Sequence, residues 1–502
     1  MFSLVCSVGA GAWSHATPLK FIAEPALREH AVSTPVNPVV SRDRSIFDLV
    51  ALTGSKSFPS MLVRKSGTAP HPRVGGLKAG IANAGVFDVR RGELSTEAED
   101  APAAMPVPGV VNFSNRKPSL SRRGMLDFDR AMSLRGSGSV NDLKKAVEWL
   151  RKAADAGYGP AQNNLGVMIG NGQGVRRDAA EAFRWYLKAA RQGLPDAQHN
   201  VGLSFEHGVG THQSFSKAAD WYRRAASAGH AYAQNNLGLL YVDGRGVSQD
   251  FAQAIYWFQM AAEQGEPAAE DNIGLLYANG HGVTKDSALA AVWFRKAAEK
   301  GLTSAELNLA ALYRDGVGVK QDYGETKHWY AKAAEKGNAE AQNDLGQLYA
   351  MGEGVPKDDG LALQWYRRSA DQGYAGAQYN LGLSYQNGQG VAQDPSLAAR
   401  WYLRAASNGY GLAQLNLGIL YATGSGVTKD LIEAYKWFAL ASQSVQAGQD
   451  DIRRVALQNL DLVTASMSDD QLREGRGRAR VSAAARGGSN LVPALNGKLQ
   501  FH

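Results

Sequence analysis

The sequence predicts an all-α solenoid of about nine 36-residue units, each with two helices, and three observations support this fold class. A Gly-x-Gly-Val motif recurs every 36 residues, as in DGRGV at 243–247 and NGHGV at 279–283. Each unit contains two stretches in which apolar residues have helical spacing. Nine of the ten tryptophans fall at one position of the unit. A unit this small cannot bury its own apolar faces, so neighbouring units must stack.

Residues 1–124 precede the repeats and lack a sustained helical period. They contain eleven of the 17 prolines, with 15 Lys and Arg against nine Asp and Glu. We therefore expect this segment to be mostly disordered. A basic end can touch nucleic acid or anionic lipid, but a solvated segment is the interpretation we favour, and no nucleic-acid partner is expected.

The first helix of each unit begins with alanine, which we number position 1. In the unit that starts at Ala233, Leu237, Gly238 and Tyr241 stand at positions 5, 6 and 9. Alanine, leucine and tyrosine then form one apolar stripe, and the glycine allows a close approach by a neighbouring helix. The complete units, which follow a degenerate one at 125–160, begin at Ala161, Ala197, Ala233, Ala269, Ala305, Ala341, Ala377 and Ala413.

The second helix of each unit starts after position 18, where Asp or Ser can cap the helix N-terminus. These residues are Asp178, Ser214, Asp250, Asp286, Asp322, Asp358, Asp394 and Asp430. Ala254, Trp257, Phe258 and Ala261 then define one face that we expect to be buried. The tryptophan is expected to belong to the core of its own unit, and Gly265 is expected to end the helix with a positive φ.

The Gly-x-Gly motif could cradle a phosphate, but its recurrence argues against that function. A phosphate loop would follow a strand or end in Gly-Lys-Ser/Thr, and neither context is present. We expect Gly244 to end the first helix, Gly246 to turn the chain and Val247 to fill the space between the two helices.

The array is expected to span 125–448 and to end in two capping helices within 449–482. DDIRRVALQNLDLV is amphipathic, and SDDQLREGRGRARV follows with Ser468 as a helix cap. Such helices would cover the last unit with a polar outer surface. We expect residues 483–502 to form a flexible tail.

The combined pattern A-x-x-x-L-G-x-x-Y, G-x-G-V, D, A-x-x-W-Y/F-x-x-A-A and G resembles the Sel1-like repeat, a relative of the tetratricopeptide repeat. This resemblance implies a right-handed superhelix of antiparallel helix pairs. It also implies a scaffold or adaptor that binds other proteins. The two terminal helices resemble those of bacterial members and favour a bacterial source.

Catalytic and metal-binding interpretations find little support. Two Ser-x-x-K tetrapeptides, at 114–117 and 214–217, keep open an alternative function as a secreted β-lactam-interacting or hydrolase-type member of the family. Neither has a companion Ser-Asp-Asn or Lys-Thr-Gly motif. Cys6 is the only cysteine, which excludes a CxxC zinc site. His199, His207, His212 and His230 crowd one unit, and we interpret them as surface histidines rather than metal ligands.

Position 4 of the first helix is polar in all eight complete units, and its asparagines are our candidate partner-binding residues. The candidates are Asn164, Asn200, Asn236, Asn272, Asn308, Asn380 and Asn416, with Asp344 in the remaining unit. By analogy with the tetratricopeptide repeat, this position would face the concave groove and hydrogen-bond to a peptide backbone. The alternative is that each asparagine joins one unit to the next. Positions 3 and 7 vary between units and could select the partner.

The sequence therefore predicts a non-catalytic scaffold whose concave face binds a protein or peptide, with no cofactor and no metal. No stretch reaches the length and apolarity of a membrane-spanning helix. The opening MFSLVCSVGAGAWSHA has an apolar run but no preceding Lys or Arg, which favours the cytoplasm over secretion or a periplasmic location and leaves the compartment open.

Overall fold

A computed structural model describes residues 122–443 and 450–485, which form 20 helices and no strand. The predicted all-α class is confirmed. In chain order the helices are α1 Arg122–Ser137, α2 Val140–Asp155, α3 Gly159–Asn171, α4 Ala179–Arg191, α5 Pro195–His207, α6 Phe215–Ser227, α7 Ala231–Asp243, α8 Phe251–Glu263, α9 Pro267–Asn279, α10 Ser287–Glu299, α11 Thr303–Asp315, α12 Tyr323–Glu335, α13 Ala339–Met351, α14 Asp359–Asp371, α15 Ala375–Asn387, α16 Pro395–Ser407, α17 Gly411–Thr423, α18 Leu431–Ala441, α19 Asp450–Thr464 and α20 Asp469–Ala485.

From α1 to α18, each helix packs against the one before and the one after it. Odd-numbered helices are the first helices of their units and even-numbered helices are the second. The segment predicted to be disordered lies, up to residue 121, outside the described residues, as do 444–449 and most of the predicted tail. None of the helices in the described ranges has the length and apolarity needed to cross a bilayer.

The second helices begin where the position-18 residues predict. Asp250 Oδ1 accepts a hydrogen bond from Gln253 N at 3.0 Å, which satisfies one of the free N–H groups of the first turn of α8. Ser214 Oγ does the same for Lys217 N at 3.4 Å. One side-chain acceptor therefore fixes the start of each of these helices.

The Gly-x-Gly motif is a structural turn, as its recurrence suggested. Gly244 ends α7 in the left-handed conformation, with φ of 64°, and Gly246 also has a positive φ of 73°. A Cβ atom on Gly246 would lie 2.2 Å from the carbonyl carbon of Phe215, at the start of α6 in the preceding unit. The second glycine therefore lets this turn lie directly on the neighbouring unit.

In every second helix of the eight complete units, the aromatic residue that follows the tryptophan is buried. Phe258 is 1% exposed, and a Cβ atom added to Gly238 would lie 2.6 Å from its ring. Position 6 is therefore glycine because an aromatic ring occupies the space of its side chain. The same contact joins glycine and ring in six other units, at Gly166, Gly202, Gly274, Gly346, Gly382 and Gly418.

The expectation that Trp257 is a buried core residue is wrong, because its side chain is half-buried. It packs against a hydrophobic cluster that includes Leu237 and Leu240 of its own unit as well as residues of the preceding units. Half-burial is shared by Trp149, Trp221, Trp293, Trp365 and Trp401, whereas Trp185, Trp329 and Trp437 are buried. The spacing of apolar residues does not distinguish positions 25 and 26. In seven units the glycine at position 6 leaves room for the ring at position 26, and in the eighth Ala310 stands at position 6 and Tyr330 is buried.

Two further helices close the array at its C-terminal end. Both α19 and α20 pack against α18. At the start of α20, Ser468 N donates to Gln471 Oε1 and Gln471 N donates to Ser468 Oγ, a reciprocal pair of caps. Arg478 of α20 also donates to Glu433 Oε1 of α18 at 2.7 Å.

Candidate protein-binding surface

The position-4 asparagines form a ladder of hydrogen bonds between consecutive first helices. Asn272 Nδ2 donates to Asn235 Oδ1 at 2.8 Å, and both side chains are buried. The acceptor always stands at position 3 of the preceding unit. The other direct contacts of this kind are Asn200 Nδ2 to Asn163 Oδ1 at 2.9 Å, Asn308 Nδ2 to Asp271 Oδ1 at 3.0 Å and Asn380 Nδ2 to Asn343 Oδ1 at 2.8 Å.

Three other position-4 asparagines have different partners. Asn236 Nδ2 lies 3.1 Å from Nε2 of His199, which replaces asparagine at position 3. Asn164 accepts from Arg135 at 3.1 Å, and Asn416 hydrogen-bonds to tyrosine hydroxyls that include Tyr379. The structure therefore gives all seven predicted site residues partners inside the array, and a direct contact between them and another protein stays a prediction.

Asp344 interrupts the ladder, because Leu307 at position 3 of the preceding unit offers no acceptor. Asn343 Nδ2 donates to its carboxylate at 3.1 Å. Burial raises the pKa of Asp344 to about 7, and the charge of Glu340 adds to the effect, while Arg314 opposes it. This unit therefore contains a buried carboxyl group that titrates near neutral pH.

A second ladder joins position 2 of a first helix to position 32, just after the second helix, in six of the complete units. Gln264 Nε2 donates to Gln234 Oε1 at 2.8 Å, and Gln372 to Gln342 in the same way at 2.8 Å. Both side chains of each pair belong to one unit, so the pair ties the end of the second helix to the start of the first helix.

In two adjacent units the glutamine pair is replaced by a lysine and a glutamate. Lys300 Nζ lies 2.8 Å from Glu270 Oε1, and Lys336 Nζ lies 2.6 Å from Glu306 Oε1. The two positions change together, so glutamate never faces glutamine among these pairs. This ladder was not predicted from the sequence, although the sequence shows that positions 2 and 32 change together, from glutamine pairs to glutamate and lysine.

The position-4 ladder borders a row of half-buried apolar side chains at position 7. Residues at positions 4 and 7 are three apart and share one face of a helix. We call this surface the first-helix face, with positions 3, 4 and 7 of α3 to α17. Its half-buried position-7 residues are Leu239, Leu275, Ala311, Gln347, Leu383 and Ile419.

The interpretation of the histidines as surface residues is wrong for two of the four. His199 stacks on His230 with ring centroids 4.7 Å apart, and burial lowers its pKa well below the usual value. His230 caps α7 by accepting from Ala233 N at 3.1 Å, and its Nε2 lies 3.2 Å from Asp196 Oδ1. The stacking on His230 and the contact with Asp196 join residues that are far apart in the sequence, so local patterns could not show them.

We find no further cluster of catalytic or metal-binding side chains in the described part of the chain. Within 122–443 and 450–485, no group of three or more His, Cys, Asp or Glu side chains could hold a metal ion. His207 and His212 are exposed. Ser214 serves as a helix cap, and the tetrapeptide at 114–117 lies outside the described residues.

The fold and its ladders define a helical-repeat solenoid. The model of the Sel1 repeat matches nine segments, at 131–158, 159–194, 195–230, 231–266, 267–302, 303–338, 339–374, 375–410 and 411–444. The chain therefore belongs to the Sel1 repeat family, which confirms the predicted resemblance. No curated protein matches the chain significantly.

Several solved structures are similar to this chain. The protective antigen c5321 of uropathogenic Escherichia coli, which has an SLR fold, is 27% identical over 74% of this chain and 99% of its own, with a TM-score of 0.44. A Sel1 repeat protein from Oxalobacter formigenes is 35% identical over 49% of this chain and 99% of its own, with a TM-score of 0.46. Yeast Tom70 is 14% identical over 73% of this chain and 93% of its own, with a TM-score of 0.29.

Proposed function

We propose that this protein is a non-catalytic scaffold or adaptor that binds a protein or peptide partner along the first-helix face. Sel1 repeats are a scaffold fold that typically mediates interactions between proteins. The observation that carries the proposal is that successive first helices have the same arrangement while some side chains on their shared face differ between units. The position-3 to position-4 hydrogen bonds hold successive first helices in one arrangement, while position 7 varies.

The row at position 7 offers what an apolar partner segment needs. Leu239, Leu275, Leu383 and Ile419 are half-buried, so an apolar side chain of a partner could cover the area that water still reaches. The neighbouring position-4 amides could add hydrogen bonds at the edge of such a contact. By analogy with the tetratricopeptide repeat, this face is the concave one.

Affinity capture from the source organism's lysate tests the proposal. The full-length chain is compared with a variant carrying Leu239→Lys, Leu275→Lys and Leu383→Lys, which places charges on the first-helix face. A matched control carries Gln364→Lys and Ser396→Lys on second helices. We expect at least one protein to be captured by the wild type and the control and lost from the variant. Identical captured sets for all three chains would overturn the proposal.

A further inference from the structure

The outward surface of the second helices is polar in most units and apolar in two adjacent ones. Positions 20, 24 and 28 are separated by four residues and form one outward stripe. In α8 the stripe is Ala252, Tyr256 and Met260, and Tyr256 is 50% exposed. In α10 it begins with Ala288 and Val292, and Val292 is also 50% exposed.

The other units show how far α8 and α10 depart from the pattern. Position 24 is Arg184, Asp220, His328, Gln364, Arg400 and Lys436 elsewhere in the complete units. A scaffold that needed only solubility would have polar residues at these places too. Contiguous exposed apolar side chains on a soluble protein mark a surface that another molecule covers.

The half-buried tryptophans join the two stripes into one surface. The rings of Tyr256 and Trp257 contact each other edge to face, with centroids 5.0 Å apart. Trp293 of α10 packs against the cluster that contains Phe258 of α8. We call these residues, Tyr256, Trp257, Met260, Val292 and Trp293, the outer patch.

A row of cations runs through the outer patch and indicates the charge of its partner. In seven units, position 28 holds a Lys or Arg whose charged group lies 3.7–4.6 Å from the centroid of the tryptophan ring on the same helix. The row is Lys152, Lys188, Arg224, Lys296, Lys332, Arg368 and Arg404. Met260 replaces the cation in α8, at the centre of the patch, and Leu440 does so in α18, the last second helix of the array.

Position 28 holds no acidic residue in these units, although Asp220 stands at position 24 of α6, where Arg223 pairs with it at 3.1 Å. Glu263 and Glu299 stand at position 31, close to the C-terminal ends of α8 and α10. Arg224 and Lys296 occupy position 28 in the units before and after that of Met260, so they flank Met260 along the row. A partner that crosses the second helices there meets a cation, an apolar site and another cation in succession.

We propose that the outer patch binds an acidic segment of a partner protein through two or three apolar anchor side chains. The anchors cover Tyr256, Met260 and Val292, and the acidic residues pair with Arg224 and Lys296. This surface is separate from the first-helix face, so the protein has two docking surfaces and can hold two partners at once.

Selection of short random peptides displayed on phage tests the proposal with the full-length chain. We expect the enriched peptides to be acidic and to contain spaced aromatic or aliphatic residues. The test variant carries Tyr256→Gln, Met260→Lys and Val292→Gln, which restores the polar pattern of the other units. We expect its Kd for a selected peptide to be at least about tenfold higher than the Kd of the wild type.

A matched control carries His328→Gln and Gln364→Lys on α12 and α14 and should bind like the wild type. The variants change exposed or half-buried positions, so circular dichroism is used to check that they remain folded. The variant Leu239→Lys/Leu275→Lys/Leu383→Lys should also bind these peptides normally. If the peptides fail to bind this first-helix-face variant but bind the test variant normally, this inference is overturned and the proposed function is supported.

Two further outcomes would overturn the assignment. One is an enriched set that is basic or binds the test variant as tightly as the wild type. The other is a dimer in sedimentation velocity that the three patch substitutions convert to a monomer, because a second copy of the chain would then be the occupant. We expect the wild type without peptide to sediment as a monomer.

Discussion

The paired lysine and glutamate at positions 32 and 2 allow a sharp test of how the two helices of one unit are held together. Replacing Lys300 with methionine keeps an unbranched apolar stem and removes the cation. Glu270 Oε1 then loses the ammonium group that lies 2.8 Å away, and Glu270 Oε2 already lacks a hydrogen-bond partner. The substitution therefore leaves a buried carboxylate unpaired.

The structure sets the size of the expected effect. Removing one partner of a buried ion pair typically costs about 3–5 kcal/mol. The Glu270 side chain is 5% exposed but that of Lys300 is 39% exposed, so water reaches one side of the pair and reduces the loss. We expect Lys300→Met to lower the local free energy of opening by about 2 kcal/mol.

The neighbouring unit supplies the control, because Gln264 and Gln234 form the uncharged version of the same contact. The double variant Glu270→Gln/Lys300→Gln should therefore come within about 1 kcal/mol of the wild type. Hydrogen exchange followed by mass spectrometry reports the opening of α9 and α10 separately from the rest of the array. Equal protection in Lys300→Met and the wild type, or a double variant as unstable as the single one, would refute the reasoning.

Four further predictions address the other contacts. Asn272→Ala should cost about 1–3 kcal/mol by leaving a buried acceptor unpaired, seen as faster exchange in α7 and α9. Phe258→Ala should cost about 3–5 kcal/mol, and half-buried Trp257→Ala less, in the same measurement. Asp344→Asn should stabilise the protein at pH 8 by up to about 4 kcal/mol in urea unfolding, and this gain should shrink as the pH falls to 5. A 121–502 fragment should keep the helical circular dichroism and melting temperature of the full chain, and earlier melting would show that the N-terminal segment packs on the array.

The sign of the Asp344 effect follows from its raised pKa. Between about pH 4 and pH 7 the folded chain holds a proton on this carboxyl that the unfolded chain releases. Stability from this group is therefore present at low pH and is lost as the pH rises through 7. An unchanged difference between Asp344→Asn and the wild type from pH 5 to pH 8 would contradict the assignment.

The helices and turns could be predicted because local chemistry determines them. Asp250 starts α8 by accepting a hydrogen bond from a residue three positions away, and Gly244 and Gly246 adopt conformations that other residues rarely do. Such signals are contained in a few consecutive residues. The 36-residue recurrence then determined how many units there are.

The packing between units could be predicted only in part. Trp257 and Phe258 both fit a buried helical stripe, and the choice depends on the space above Gly238 on another helix. The burial of His199 depends on Asn236 in the next unit. The candidate surface also could be predicted only in part. From the sequence, the position-4 asparagines are compatible with partner binding and with hydrogen bonds between units, and the structure shows hydrogen bonds between units.

The central claim is that a partner protein lies along the first-helix face, and site-specific photocrosslinking in cells tests it most directly. Benzoylphenylalanine is placed at position 275, in the half-buried apolar row, and at position 364 on a second helix as the matched control. We predict a discrete crosslinked adduct with another protein from position 275 and none of that mass from position 364. No adduct from position 275, or the same adduct from both positions, would contradict it.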